Sequence, residues 1–300
     1  MSNIEQIGDS LQRASNLRGL WFMVGGFASF SCADTMAKVL TADYHQVQIA
    51  WTRQFGVVAV VLVILLLKGP TLFKSVAPGI QLVRGLCATV SAVCFIFAIR
   101  YVPLADAVAV SFIAPFIVTV LGATLLGEPV GIRRWTAVTI GFIGTIVIVR
   151  PGLGIFHPAI FLVVVAALAF AARQIVSRHI GTRDPTMTTL AYTATTSFMV
   201  LVLPLVFYWH PPKNTTHLVL MVGLTLMSGL GELLMIKALE IAHAVVVSPM
   251  HYSLILFSTF WGYMVFGDFP DFWTLAGTVI VISSGLYVIY RERLRKVPLQ

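Results

Sequence analysis

The sequence predicts an all-α, polytopic membrane protein whose ten transmembrane helices form two inverted five-helix repeats. Three observations carry this. Of 300 residues, 58% are hydrophobic and only 11% charged, with mean hydropathy +0.91, where a soluble domain has about a quarter of its residues charged. The apolar residues fall in runs long enough to cross a hydrocarbon core, which takes roughly 20 residues of helix. The runs also fall into register when the chain is slid by 140 residues along itself.

In order, the runs predict helices near Leu20 to Leu40, Val47 to Leu67, Gly79 to Ala98, Leu104 to Leu126 and Trp135 to Val149. A second set follows at Ala159 to Val176, Met187 to Trp209, Leu218 to Leu239, Ala244 to Phe266 and Trp273 to Tyr290. Charged or Pro/Gly-containing breaks separate them, and the fifth, being short, is expected to let Arg133, Arg134 and Arg150 snorkel. No stretch is polar and long enough to be a water-soluble enzyme on an anchor. The N-terminal MSNIEQIGDSLQRASNLRG is too polar for a signal peptide, so the first run is expected to be retained. Cys32, Cys87 and Cys94 are odd in number and sit in apolar runs, as small core side chains do, rather than as a disulfide framework.

The net charge of +8 in an apolar chain points to loops facing anionic lipid, with membrane lipids rather than nucleic acid as the partner. With the N-terminus inside, thirteen Lys and Arg fall on the inner side and four, Arg53, Arg100, Arg150 and Lys213, on the outer, while Lys38, Arg173 and Lys237 lie deeper within helices. That asymmetry places both termini in the cytoplasm. The expected organisation is a cytoplasmic segment over 1–19, a first repeat over 20–150, a second over 151–291 and a basic tail over 292–300.

Under the 140-residue offset, identities recur along the chain: Phe30 with Phe170, Val60 with Val200, Ala98 with Ala238, Gly122 with Gly262 and Gly127 with Gly267. Lys38 and Glu128 meet the like-charged Arg178 and Asp268. Because five is odd, the second set enters from the opposite side, a design that lets two halves rock about a midplane site. One chain holds both halves, so a monomer suffices in principle.

Two tandem five-helix halves, a first helix ending Asp34-Thr-Met-Ala-Lys38, an arginine early in the second (Trp51-Thr-Arg53) and Gly127-Glu128-Pro129 after the fourth resemble the EamA family of the drug/metabolite transporter superfamily over about residues 20 to 291. The second half departs in having Thr193 where Arg53 would recur, and Gly267-Asp268-Phe-Pro270 in place of Gly-Glu-Pro. The resemblance implies a ten-helix carrier that moves small metabolites by alternating access, through a cavity lined by the first, third and fourth helix of each half. It points to export of amino acids, aromatic ones included, or of related compounds, and secondly to export or facilitated passage of drugs or organic cations.

A charge at mid-membrane is costly, so each is a functional candidate. Asp34 and Lys38 stand four apart, hence on one helix face, and read either as cavity residues or as a self-neutralising pair. Glu232, the deepest acid, is the candidate for proton coupling and for a substrate amino group, with an interhelical structural bond as the rival reading. Arg173 could hold a substrate carboxylate or neutralise Glu232. On the ninth helix His251 and Tyr252 lie in a weakly polar stripe with Ser248 and Ser258, matched on the fourth by Ser111, Phe112 and Pro115. Offset mates Ser91 and Gly231, and Ser111 and His251, are expected near the middle of the membrane. Arg53 and Arg84 read as anchors near helix ends, and Trp21, Trp51, Trp135, Trp209 and Trp273 as an interfacial belt.

An intramembrane enzyme is the alternative from another class. The chain has no H-E-x-x-H or G-x-S-x-G motif, and its histidines at 45, 157, 179, 210, 217, 243 and 251 show no metal-ligand spacing. No P-loop marks an ATP-driven pump. The expectation is a multi-pass carrier of the plasma or bacterial inner membrane, with a small-molecule substrate and neither cofactor nor metal.

Overall fold

The computed structural model describes residues 3–125, 127, 131–149, 157–180, 184–242 and 247–295. The described chain is helical: α1 (Asn3–Leu40), α2 (Gln46–Lys68), α3 (Pro78–Ile99), α4 (Leu104–Ser111), α5 (Ala114–Leu125) and α6 (Ile132–Val149) make the first half. The second half comprises α7 (Ile160–Ile180), α8 (Thr186–Tyr208), α9 (Thr215–Ile241), a 3₁₀ turn (Ser248–Tyr252), α10 (Ser253–Phe266) and α11 (Phe272–Arg295). Six of the ten spans are long and apolar enough by length and composition to cross a membrane, α4 and α5 counting as one. The α6 and α11 spans are shorter in their apolar part, Trp135–Val149 and Phe272–Tyr287.

Three spans differ from the sequence expectation for identifiable reasons. The first helix starts at Asn3 because nothing between Asn3 and Leu20 breaks it: no Pro, and a Gly only at Gly8 and Gly19. The fourth span breaks at Phe112 and Ile113, ahead of Pro115, which has no N–H to give the preceding turn. The ninth span is interrupted in the same region, where Pro249 opens the 3₁₀ turn before α10. Both spans thus expose irregular backbone inside the bundle, which membranes tolerate where it lines a cavity.

The dominant packing runs between the halves. α1 lies on α9 and α3 on α7; α2 lies on α9 and α3 on α8; α1 lies on α10 and α5 on α7. Each contact in these pairs becomes the other when repeat mates are exchanged, while α2 with α8 and α6 with α11 map onto themselves. That is the signature of a two-fold axis, and it holds residue by residue. Gly56 is so close to the Thr225 carbonyl that no Cβ fits, and in its mate pair a Cβ on Gly85 would stand 2.6 Å from the Thr196 side chain. Gly26 and Gly231 approach so that a Cβ at either would stand 3.2 Å from the other's carbonyl oxygen. Their mates do the same with a hydroxyl, as Ser91 Oγ donates to Ala166 O at 2.9 Å. Gly144 faces Gly277, and the mate pair is Ser284 Oγ donating to Ala137 O at 2.5 Å. Small residues at these seams let backbones meet, the main source of helix association in lipid. Gly127 and Gly267, mates again, take φ of 65° and 73° at the end of α5's and α10's spans, a left-handed turn that glycine adopts without a Cβ penalty.

The face bearing the N-terminus is called here the terminal face, and its opposite the far face. At the far face, Asp43 in the α1–α2 loop binds Lys213 at 2.5 Å, and Tyr44 Oη meets His217 Nδ1 at 3.1 Å. Gln48 exchanges two hydrogen bonds with the His210 backbone, at 2.7 and 3.0 Å. The hydrogen bond from Lys213 holds the Asp43 carboxyl below its ordinary range. At the terminal face Asp184 accepts from Ser75 Oγ at 2.5 Å, the Val76 N–H at 2.8 Å and Gln81 Nε2 at 2.8 Å. Burial pushes the Asp184 carboxyl up, but these bonds together bring it below the ordinary range. Each strap joins the loops flanking α2 and α8, at opposite ends.

Candidate functional site

Three charged side chains, Arg84, Arg173 and Glu232, converge inside the bundle on the terminal-face side of the midplane, with Arg53 across it. At 1.5 Å rise per residue, Arg84 stands about 9 Å, Arg173 about 10 Å and Glu232 about 14 Å from the terminal-face ends of α3, α7 and α9. Arg53 comes from the far-face half of α2. Glu232 feels the charges of Arg173, Arg53 and Arg84 in descending strength, yet among the described residues it forms no direct ion pair. Arg84 Nε donates to Ser177 Oγ at 2.6 Å, and its Nη1 reaches Thr193 and, at 3.3 Å, Thr189 O. Arg173 lies 4.6 Å over the Phe170 ring, and its buried Nε has no hydrogen-bond partner.

Beside this cluster lies an aromatic wall. The His251 ring sits 4.5 Å from that of Phe27 and 6.1 Å from that of Phe112. Both phenylalanines are only 4% exposed, whereas His251 is exposed. Tyr252 is 5.1 Å from Phe112 and directs its hydroxyl at Gly285. The charge of Arg173 acts on His251, which ties the wall to the cluster.

The candidate residues of the sequence separate into three places. Arg173, Glu232, Phe112, His251 and Tyr252 come together as one site. Asp34 and Lys38 do not neutralise one another: Asp34 pairs with Arg53, and Lys38 with Asp268 at 3.1 Å. Lys38 also donates to Val102 O at 3.1 Å and lies 4.6 Å over the Phe266 ring, so it ties α1, the α3–α4 loop and the end of α10 together at the far face. Ser91 and Ser111 bind backbone carbonyls, Ala166 O at 2.9 Å and Val108 O at 2.7 Å. These serines serve helix packing rather than presenting a free hydroxyl. Lys237 pairs with Glu240 at the surface, 3.3 Å away.

Arg53 and Arg84 correct the expectation that they anchor at helix ends. Both turn inward, because Asp34 on α1 and Ser177 and Thr193 on α7 and α8 give them buried partners that a snorkelling side chain would forgo. The signal for Arg84 was present: Arg84, Cys87 and Ser91 share one face of α3 at helical spacing. Trp51 is likewise no belt residue, since its ring stacks on Phe198 at 5.1 Å and its Nε1 is buried. Trp21, Trp135, Trp209 and Trp273 are exposed, as a belt requires. Glu128, Pro129 and the side chains of Arg178 and Ser248 lie outside the described residues. Two surface depressions, about 390 Å³ beside Leu72, Met187 and Ile236 and about 500 Å³ beside Lys38, Arg100 and Phe266, lie near the membrane faces, away from this cluster.

A ten-span bundle built on an inverted repeat, with charged groups enclosed between its halves, is the architecture of a membrane transporter. The model of the EamA-like transporter family matches the chain twice, over residues 17–150 and 157–291, and the chain belongs to that family. The two matches begin 140 residues apart, the offset at which the sequence repeats.

An S-adenosylmethionine uptake transporter of Rickettsia prowazekii is 28% identical over 91% of this chain and 92% of its own. A riboflavin transporter of Vibrio cholerae is 25% identical over 91% and 93%. A pseudopaline exporter of Pseudomonas aeruginosa is 26% identical over 85% and 90%. One crystal structure superposes with a TM-score of 0.63 at 15% identity, covering 95% of this chain and 99% of its own, a likeness of fold. The relatives are transporters of small molecules, and this chain is a multi-pass membrane protein of their kind.

Proposed function

We propose that this transporter carries amino acids or related metabolites, compounds that combine a carboxylate and an amine with a side chain that packs on an aromatic wall. The observation that carries the reading is the enclosed Arg173, Arg84 and Glu232 cluster beside the His251, Phe112 and Tyr252 wall. Arg173, with an unpartnered Nε, would take the carboxylate, Glu232 the amine, and the wall the side chain. Glu232 is also where a proton and a substrate amine compete for one carboxylate, so it is the group we assign to proton coupling. An organic-cation exporter would need acids in excess of bases at the site, and the arginines argue against it.

Export is the direction we assign. The far face is cross-linked by Lys38 with Asp268, and the positive-inside rule puts the terminal face in the cytoplasm, which favours loading from within. The proposed setting is the plasma or bacterial inner membrane, with repeats over 20–150 and 151–291 between a cytoplasmic 1–19 segment and a basic 292–300 tail.

Counterflow into proteoliposomes tests the substrate class with labelled amino acids, nucleosides, sugars and organic cations. Saturable exchange of amino acids is expected. Saturable exchange confined to sugars, nucleosides or organic cations overturns the reading.

A further inference from the structure

Around Glu232 the charges do not balance. Among the described residues, Arg53 is matched by Asp34, and Lys38 by Asp268. That leaves Arg84 and Arg173 facing the single carboxylate of Glu232. The neutral partners confirm the inequality: Arg84 is held by hydroxyls and a carbonyl, from Ser177, Thr193 and Thr189, and Arg173 by the Phe170 ring. Asp106 lies in the first turn of α4, at the far-face end of the bundle, and the three charges acting on Glu232 are arginines.

From this surplus of one positive charge we infer that the carrier is an exchanger of net monoanions, substrates in which carboxylates outnumber amines by one. The inference rests on the amino-acid reading above and narrows it to acidic members of that class. A carrier that reorients must pass through a state in which water is excluded from both sides, and an unmatched arginine there is heavily penalised. A bound monoanion removes the surplus; a zwitterion leaves it, and a cation increases it. Reorientation is then permitted when the site is loaded and blocked when it is empty, so flux in one direction requires a monoanion returning in the other. A ligand drives this only through its differential interaction with the closed state, which here is the cancelled charge.

Two measurements decide it. In the first, purified protein in proteoliposomes takes up labelled aspartate or glutamate, a zwitterion such as phenylalanine, or S-adenosylmethionine, whose sulfonium gives it a net positive charge, with and without the same compound inside. The acidic amino acids are expected to exchange at least about tenfold faster than either other class, and about tenfold faster with internal substrate than without. Arg84→Gln balances the site, and should shift preference toward the zwitterion and raise flux into empty vesicles. Preference for zwitterions or cations in the wild type, or equal flux with and without internal substrate, overturns the inference.

The second measurement needs no substrate. Cys87 shares a helix face with Arg84 and lies within the field of Arg173. In a Cys32→Ala, Cys94→Ala background, an anionic methanethiosulfonate is expected to modify Cys87 about tenfold faster than a cationic one, as a focused positive potential requires. Arg84→Gln should lower that ratio and Glu232→Gln raise it. Equal rates, or faster reaction with the cation, overturn the surplus. A high anion ratio together with no transport of any amino acid upholds the surplus and rejects the amino-acid class instead, so the two failures are distinguishable.

Discussion

The packing seams keep the two-fold symmetry and the polar site breaks it. Gly56 with Thr225 is mirrored by Thr196 with Gly85, and Gly26 with Gly231 by Ala166 with Ser91. At the site the mates are unlike: Arg84 corresponds to Leu224, Arg173 to Ala33, Glu232 to Ala92, Arg53 to Thr193 and His251 to Ser111. A seam serves both halves of a rocking motion and must be equivalent at both ends. A binding site is occupied by one asymmetric molecule, and gains from presenting an acid at one end and bases at the other. The seams keep what duplication supplied; the proposed site is where the two copies differ.

The largest effects should come from the seams. Gly56→Ala drives a Cβ into the backbone of Thr225 and Gly229, and should cost about 3 kcal/mol or more of stability. Thr225→Gly should not rescue it, because the obstacle is a carbonyl. Gly85→Ala collides only with the Thr196 side chain, so Gly85→Ala with Thr196→Gly should recover most of the melting temperature in detergent. Equal rescue of both would mean that the seams are soft and the mirrored contacts incidental.

Next in size are the charge changes. Arg173→Gln and Glu232→Gln should each lower transport at least about tenfold while leaving protein in the membrane, since each removes a costly buried charge and the second is isosteric. Glu232→Gln should also abolish any pH dependence of uptake. Unchanged pH dependence in that variant would make Glu232 a structural group.

The wall should produce smaller shifts. His251→Ala or Tyr252→Ala is expected to alter selectivity or apparent affinity about fivefold to tenfold, and Trp273→Ala, at 53% exposure, to alter neither. The reverse pattern would put the substrate elsewhere.

The straps give the smallest effects. Asp184→Asn should lower the melting temperature, since a carboxylate with three donors is replaced by an amide. Asp43→Asn, in an exposed pair, should leave it unchanged. Because the Asp184 carboxyl is held below its ordinary 3.8, its contribution is present above that value and fades as pH falls through its lower folded value. A melting temperature for Asp184→Asn that tracks the wild type from neutral pH down to that range would remove the distinction between the straps.

The sequence by itself determined the span count, the repeat and the inversion. These depend on hydropathy, on break positions and on the parity of five, all of which are local or additive along the chain. It also singled out Arg173, Glu232, His251 and Tyr252, because an unexpected polar residue in an apolar run is visible without knowing its neighbours.

Only the tertiary structure decided the pairings. Lys38 is one turn from Asp34 in sequence, yet it meets Asp268, while Asp34 meets Arg53. Arg84 and Arg53, near helix ends by position, turn inward to partners on other helices. The physical reason is the interlocking of the halves. Every major helix contact joins residues far apart in the chain, so which charge faces which is fixed by where the two-fold axis places them, and no spacing within a single helix records it.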